Sequence, residues 1–321
     1  MCIIALALES HAEFPFILAY NRDESWDRPT EPPREHGDGP IYSKDLQAGG
    51  CSLGFNQRSL VFGALTNTRT TCQVPSGVRS RGELIKSVLT GARVDIQSGA
   101  YAAFNLWHGS THPPAVTYSR SWAAPRSAGV WQSADSRVPS GSVVAHSNEP
   151  SGDQWDDTWP KTRYVRARVS ELISALPAGT SAETLRDSLA EIFSTDLELS
   201  NQEMPDLSFS PFPAWKERAL QCGPLVSRLR IRRAAFAYGE KDWNYGTLCQ
   251  WIILSCAKTR MVYCFYRALA SDAQRPAPWR VWTAPWERHS AVAAIAPRWR
   301  AFLVAGALAL LALAARARGA T

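Results

Sequence analysis

A chain of 321 residues with 45% hydrophobic residues and 13 tryptophans has ample material for one large core or two, which excludes a disordered protein. The net charge is +6, mildly basic, and part of it is gathered in Arg228-Leu229-Arg230-Ile231-Arg232-Arg233. That run lacks interleaved aromatic residues and any recognised nucleic-acid motif, so it reads as a solvated strand face, and no nucleic-acid partner is expected.

The chain opens with Met1-Cys2 and the apolar run Ile3-Ile4-Ala5-Leu6-Ala7-Leu8. A second run, Phe14 to Tyr20, follows the polar connection Glu9-Ser10-His11-Ala12-Glu13 and ends in Asn21-Arg22-Asp23-Glu24. Both runs have strand length and the connection has hairpin length. Antiparallel pairing about His11–Ala12 sets Cys2 roughly opposite Asn21, so the charged cluster lies beside Cys2. Removal of Met1 would put a thiol and an α-amine on one residue, a nucleophile with its own base. Arg22 is placed to stabilise a thiolate or a substrate carboxylate, and Asp23 to hold the α-ammonium. The competing reading of the same residues is a solvated turn at a strand end.

Residues 28–40 are rich in proline, glycine and charge and read as a loop. Gly49-Gly50-Cys51-Ser52-Leu53-Gly54-Phe55-Asn56 and Leu60 to Leu65 form a second expected hairpin, ending in Thr66-Asn67-Thr68-Arg69. Ser80-Arg81-Gly82-Glu83 has the spacing of a capping box, so a short helix is expected from residue 80. Strands are expected near 102–107, 115–118, 129–132 and 142–145. Trp159-Pro160 opens a helix whose Val165, Val169, Leu172, Ile173 and Leu176 share a face, and Thr180-Ser181-Ala182-Glu183 caps another. Residues 204–213 read as a proline-rich connection, with strands again near 228–238, 247–255 and 261–267. Strands, one helix, strands, helices, strands is an order that suits an α+β layered domain: two antiparallel sheets packed on each other with outer helices.

The seven cysteines are odd in number, show no C-x-x-C spacing and follow no secretory signal. A reducing, cytosol-facing environment is expected, with most cysteines as small core residues. His108 and His112 are four apart but bracket Gly109 and precede Pro113-Pro114, which breaks the helix a metal pair needs. No metal or cofactor is expected.

Residues 268–297 read as a Pro-, Trp- and Ala-rich linker, and 298–321 as an apolar tail. Arg298 and Arg300 precede the apolar run 301–315, and Arg316 and Arg318 follow it. Fifteen helical residues reach roughly 22 Å, short of a ~30 Å hydrocarbon core. The run fits either a packed terminal helix or a short membrane anchor whose arginines snorkel to the interface. For an anchor, the mitochondrial outer membrane, the Golgi and the peroxisome are the expected destinations.

The residues form an ordered series: Met1-Cys2-Ile3-Ile4, Asn21-Arg22-Asp23-Glu24, Gly49-Gly50, Thr66-Asn67-Thr68-Arg69, Ser80-Arg81-Gly82-Glu83, Phe104-Asn105-Leu106, Ser147-Asn148, Trp159-Pro160-Lys161 and Tyr245-Gly246-Thr247. Over residues 1–267 this resembles the NRDE family, the family of transport and Golgi organisation protein 2. The resemblance implies an N-terminal-nucleophile hydrolase-like αββα sandwich, similar to the cysteine amidases that cleave linear amides. It implies Cys2 as nucleophile, Arg22 and Asp23 as its neighbours, and Asn67 and Asn148 as donors to the oxyanion. It further implies roles in Golgi organisation, secretion, mitochondria, lipid handling and haem movement. The chain departs from the family pattern at Leu248, where an arginine is usual, at Cys51-Ser52, and at Tyr266 before Arg267. Two functions follow as expectations: an amidase acting through Cys2, or a non-catalytic protein that uses the same cleft for haem or a lipid-like ligand.

Overall fold

The computed structural model describes residues 2–70, 74, 76–96, 100–123, 131–148, 159–197, 210–227, 231, 234–235, 237, 239, 244–269 and 276–287. The chain divides into two units, Met1–Pro285 and Trp286–Thr321. The tail 298–321 lies outside the described residues, among which no helix is long and apolar enough to cross a membrane.

The first unit is a mixed α+β structure with two antiparallel sheets and four helices whose bounds are described. The first hairpin, β1 (Ile3–Leu8) and β2 (Phe16–Ser25), sits inside a six-stranded sheet of order β10-β1-β2-β11-β12-β13. Its other members are β10 (Ser142–His146), β11 (Tyr245–Cys256), β12 (Met261–Ala268) and β13 (Arg280–Pro285). The second sheet runs in chain order: β3 (Thr30–Glu35), β4 (Pro40–Asp45), β5 (Leu53–Asn56), β6 (Val61–Asn67), β7 (Phe104–Thr111), β8 (Pro114–Ala123) and β9 (Trp131–Arg137).

Every residue of β1 is buried, because both faces of its sheet are covered. Ile3, Ala5 and Ala7 pack with Val165, Val169 and Ile173 of α2 (Pro160–Ser174) and Leu185 and Leu189 of α3 (Ala182–Ile192). The opposite face meets the second sheet: the Phe16 and Phe62 rings stand 4.9 Å apart, and the Tyr20 hydroxyl donates to the Leu65 carbonyl at 3.0 Å. Two covered faces explain a continuous apolar run where a half-exposed strand would alternate. Leu84, Ile85 and Leu89 of α1 (Gly82–Thr90) cover the second sheet with Leu65, Phe104 and Leu106.

Four expectations need correction, and one helix was not anticipated. The first hairpin pairs Ile3 with Asn21, one residue from the expected register, which sets Cys2 level with Arg22. Residues 28–40 contain β3, an edge strand whose register breaks between Glu31 and Arg34, at the two prolines that donate no ladder hydrogen bond. The expected linker contains β13, paired to β12 from Met261↔Pro285 to Tyr266↔Arg280. The proline-rich connection leads into α4 (Ala214–Gln221), with Pro213 as its N-cap. Of the strand expected at 228–238, Ile231, Ala234, Ala235 and Ala237 are described and all are helical, with the Ile231 amide donating to the Ser227 carbonyl. The expected arginine face falls outside the described residues.

The capping box also takes another form. Arg81 is the N-cap of α1 and makes no side-chain cap; the Glu83 carboxylate pairs with Arg79, and the Glu83 amide donates to the Ser80 carbonyl. The motif serves a close backbone contact instead. A Cβ on Gly82 would stand 2.5 Å from the Cys51 nitrogen and 2.6 Å from the Gly50 Cα. The start of α1 therefore docks on the loop between β4 and β5 at glycine-to-glycine distance. Helix propensity alone predicts that Gly82→Ala stabilises by up to about 1 kcal/mol. The contact predicts the opposite sign, a loss of about 1–3 kcal/mol from overpacking, read as a lowered urea midpoint.

Candidate active site

A cleft of about 640 Å³ opens where the ends of β1, β2 and β6 meet the start of α1, and it is lined by all five expected site residues, Cys2, Arg22, Asp23, Asn67 and Asn148. Residues alternate across β2, so Tyr20, Arg22 and Glu24 face the second sheet while Asn21 and Asp23 face the helices. The two faces do different work.

On the helix side, Asn21 is fully buried and its amide donates to the carbonyls of Phe193 and Pro224, at 2.8 and 2.9 Å. Asp23 stands beside it. Its Oδ1 accepts from the Thr247 hydroxyl at 2.7 Å, and its Oδ2 lies 3.6 Å from Lys161 Nζ, with both side chains fully buried. The Tyr245 hydroxyl donates to the Asp23 carbonyl at 2.9 Å. Burial, then the nearby Asp23 charge, raises the Tyr245 pKa, so the phenol keeps its proton. Two motifs thus converge on Asp23: Trp159-Pro160-Lys161 through its lysine, and Tyr245-Gly246-Thr247 through both hydroxyls.

On the other side, Arg22 is 6% exposed. Its Nη2 lies 3.6 Å from Asp45 and 3.8 Å from Glu24, and its buried Nη1 has no hydrogen-bond partner among the described residues. Burial disfavours the Arg22 charge, but Cys249, Cys2 and Glu24 outweigh it and raise the pKa. Asp45 also takes Arg28 at 2.5 Å and the amides of Gln47 and Ala48. Burial would raise the Asp45 pKa; the Ala48 amide and Arg28 pull it below the usual carboxylate range.

Cys2 is half-buried, with its sulfur 3.9 Å from the Asp23 carbonyl. The Ser147 hydroxyl donates to the Cys2 carbonyl at 2.6 Å, which ties the segment carrying Asn148 to the start of β1. Asn148 is 3% exposed, and its buried Oδ1 has no partner among the described residues. Asn67 is exposed at the end of β6, and its side chain makes no hydrogen bond among the described residues. Cys51 also lines the cleft, but burial pushes its thiol to about 12. Burial does the same to Cys249. A buried neutral thiol is a poor nucleophile, so Cys2 is the accessible thiol of this cleft.

The sequence reading missed the roles of Lys161, Thr247, Arg81 and Glu217. Lys161 carried a readable signal: a cation in the first turn of a helix opposes the helix dipole and calls for a compensating anion. Glu217 of α4 is fully buried and takes the cleft-lining Arg69 at 2.8 Å and the Ser210 hydroxyl at 2.6 Å. Leu248, in place of the expected arginine, is the extra residue of a bulge between Thr247↔Asp23 and Cys249↔Arg22, and it does not line the cleft.

The buried pair predicts a specific stability pattern. Lys161→Met should cost about 3–5 kcal/mol, because it strands a buried carboxylate. Adding Asp23→Asn should recover part of that loss. A denaturant double-mutant cycle reads both; a single-mutant cost below about 1 kcal/mol would contradict the pairing.

A search of the curated proteins found no match to this chain. A family model described as Transport and Golgi organisation 2 matches residues 1–269. The match takes in all five cleft residues and the motifs that hold Asp23, and it covers most of the chain: this protein belongs to the Transport and Golgi organisation 2 family.

Proposed function

We propose that the cleft performs or descends from N-terminal-nucleophile amide hydrolysis, on an αββα sandwich of that hydrolase type. The observation that carries this reading is the convergence of one accessible thiol, a buried arginine and two side-chain amides on one cleft. With Met1 removed, the Cys2 α-amine takes the thiol proton and the thiolate attacks the amide carbonyl carbon. Asn148 and Asn67 donate to the oxygen that becomes negative. The carbon–nitrogen bond breaks as the α-ammonium returns its proton to the leaving amine, leaving a thioester. Water then attacks the thioester, the α-amine accepts its proton, and the acid and free thiol are released. Arg22 stabilises the thiolate. Asp23, whose carbonyl lies 3.9 Å from the Cys2 sulfur, is assigned to hold the α-ammonium.

The expected outcome is a mature N-terminus at Cys2, with Cys2→Ala abolishing hydrolysis of small linear amides without loss of folding. Intact-mass detection of Met1 on the native protein would end the hydrolytic reading. A second reading, ligand capture without turnover, is favoured by Leu248, which brings no charge to the cleft. It predicts that Cys2→Ala leaves binding of haem or a lipid-like ligand unchanged while no amide probe is turned over.

The family supplies a setting in transport and Golgi organisation. The apolar run 301–315 between paired arginines supports a membrane tether for the domain. Full-length protein should then resist carbonate extraction while residues 1–297 are released; equal release of both would overturn the tether.

A further inference from the structure

Five arginines line the cleft: Arg22, Arg28, Arg69, Arg79 and Arg81. Three are matched by carboxylates. Arg28 pairs with Asp45 at 2.5 Å, Arg69 with Glu217 at 2.8 Å and Arg79 with Glu83 at 2.9 Å. The other two are not. Arg22 has only distant carboxylates, at 3.6 and 3.8 Å, and is nine-tenths buried with Nη1 unpartnered among the described residues. Arg81 makes one hydrogen bond, from Nη1 to the Ala103 carbonyl at 2.9 Å, and no ion pair among the described residues. Burial lowers its pKa to about 10, opposed first by the neighbouring Cys2.

A guanidinium is held at such a cost only where something repays its lost hydration. Both side chains border the space around Cys2, Arg22 from β2 and Arg81 from the start of α1. Gly82, the first residue of α1, also lines the cleft, so the positive end of that helix faces the same space. The Gly50–Gly82 backbone contact fixes where Arg81 leaves the chain.

We propose that Arg22 and Arg81 form an anion subsite beside Cys2, so that the ligand of this cleft carries an oxyanionic group, carboxylate or phosphate, within a few bonds of the atom that meets the sulfur. Guanidinium forks match both groups with paired N–H donors. The inference deepens the amidase reading by giving its substrate class, an amide with a nearby anion. Its test does not depend on turnover.

The test compares alkylation of Cys2 by iodoacetate and by iodoacetamide, which differ by a carboxylate in place of a neutral amide. Rates at Cys2 are read by peptide mass spectrometry on the folded full chain and on a peptide of residues 2–8. The subsite predicts an iodoacetate-to-iodoacetamide rate ratio at least tenfold higher in the protein than in the peptide. Arg81→Gln should lower that ratio several-fold while leaving the iodoacetamide rate within twofold, and Arg81→Lys should keep part of it. Arg79→Gln, which alters a paired arginine of the same cleft, should leave the ratio unchanged. Inorganic phosphate that slows iodoacetate at millimolar concentration where acetate does not identifies phosphate as the preferred group; the reverse identifies carboxylate. A protein ratio no higher than the peptide's overturns the subsite, even if Arg81→Gln fails to fold. A high ratio with no amide turnover leaves the subsite standing and removes hydrolysis.

Discussion

The Asp23 carboxylate is the point on which the rest of the site depends. It is fully buried, and so is the lysine that faces it. A buried charge without its partner costs several kcal/mol, so neither residue can change alone. The pair ties β2 to the first turn of α2, and the Thr247 hydroxyl ties the same carboxylate to β11. Two strands and a helix, far apart in sequence, are thereby fixed within reach of the Cys2 sulfur. Three of the ordered motifs, those carrying Asp23, Lys161 and Tyr245 with Thr247, are separate parts of this one contact.

Strand β2 divides labour by parity. Asn21 and Asp23 hold the helices and the neighbouring strand, while Arg22 reaches Asp45 and Glu24, and both Arg22 and Glu24 line the cleft. A one-residue slip would exchange these sets, sending the arginine into the helix layer and the asparagine into the cleft. Buried apolar residues on both faces of β1 hold that register against slippage. Core packing thus determines which residue stands beside the thiol.

Much of this was legible in the sequence. The apolar runs, the helix that opens at Pro160 and the cysteine beside the charged cluster follow from pattern and spacing alone. What was hidden lay where backbone geometry overrides side-chain pattern. Strand β3 is proline-rich and polar because it is a sheet edge, and it reads as a loop. The Ser80-Arg81-Gly82-Glu83 signal has cap spacing, yet its glycine serves a contact with Gly50 that no local rule encodes. The Ile231 segment alternates like a strand over too few residues to separate the two periods. Lys161 and Thr247 were visible as letters of motifs, but the anion that joins them lies more than a hundred residues away in the chain.

The bulge in β11 carries a consequence for how this family can vary. An extra residue is accommodated between two aligned pairs, so the ladder on either side keeps its alignment whatever side chain occupies that position. Position 248 therefore has no aligned partner on β2, although its carbonyl still accepts from the Leu269 amide. An arginine and a leucine are interchangeable there as far as the architecture is concerned. Sequence drift at this point leaves the ladder intact, so a lineage can lose or regain a charge here without first losing its fold.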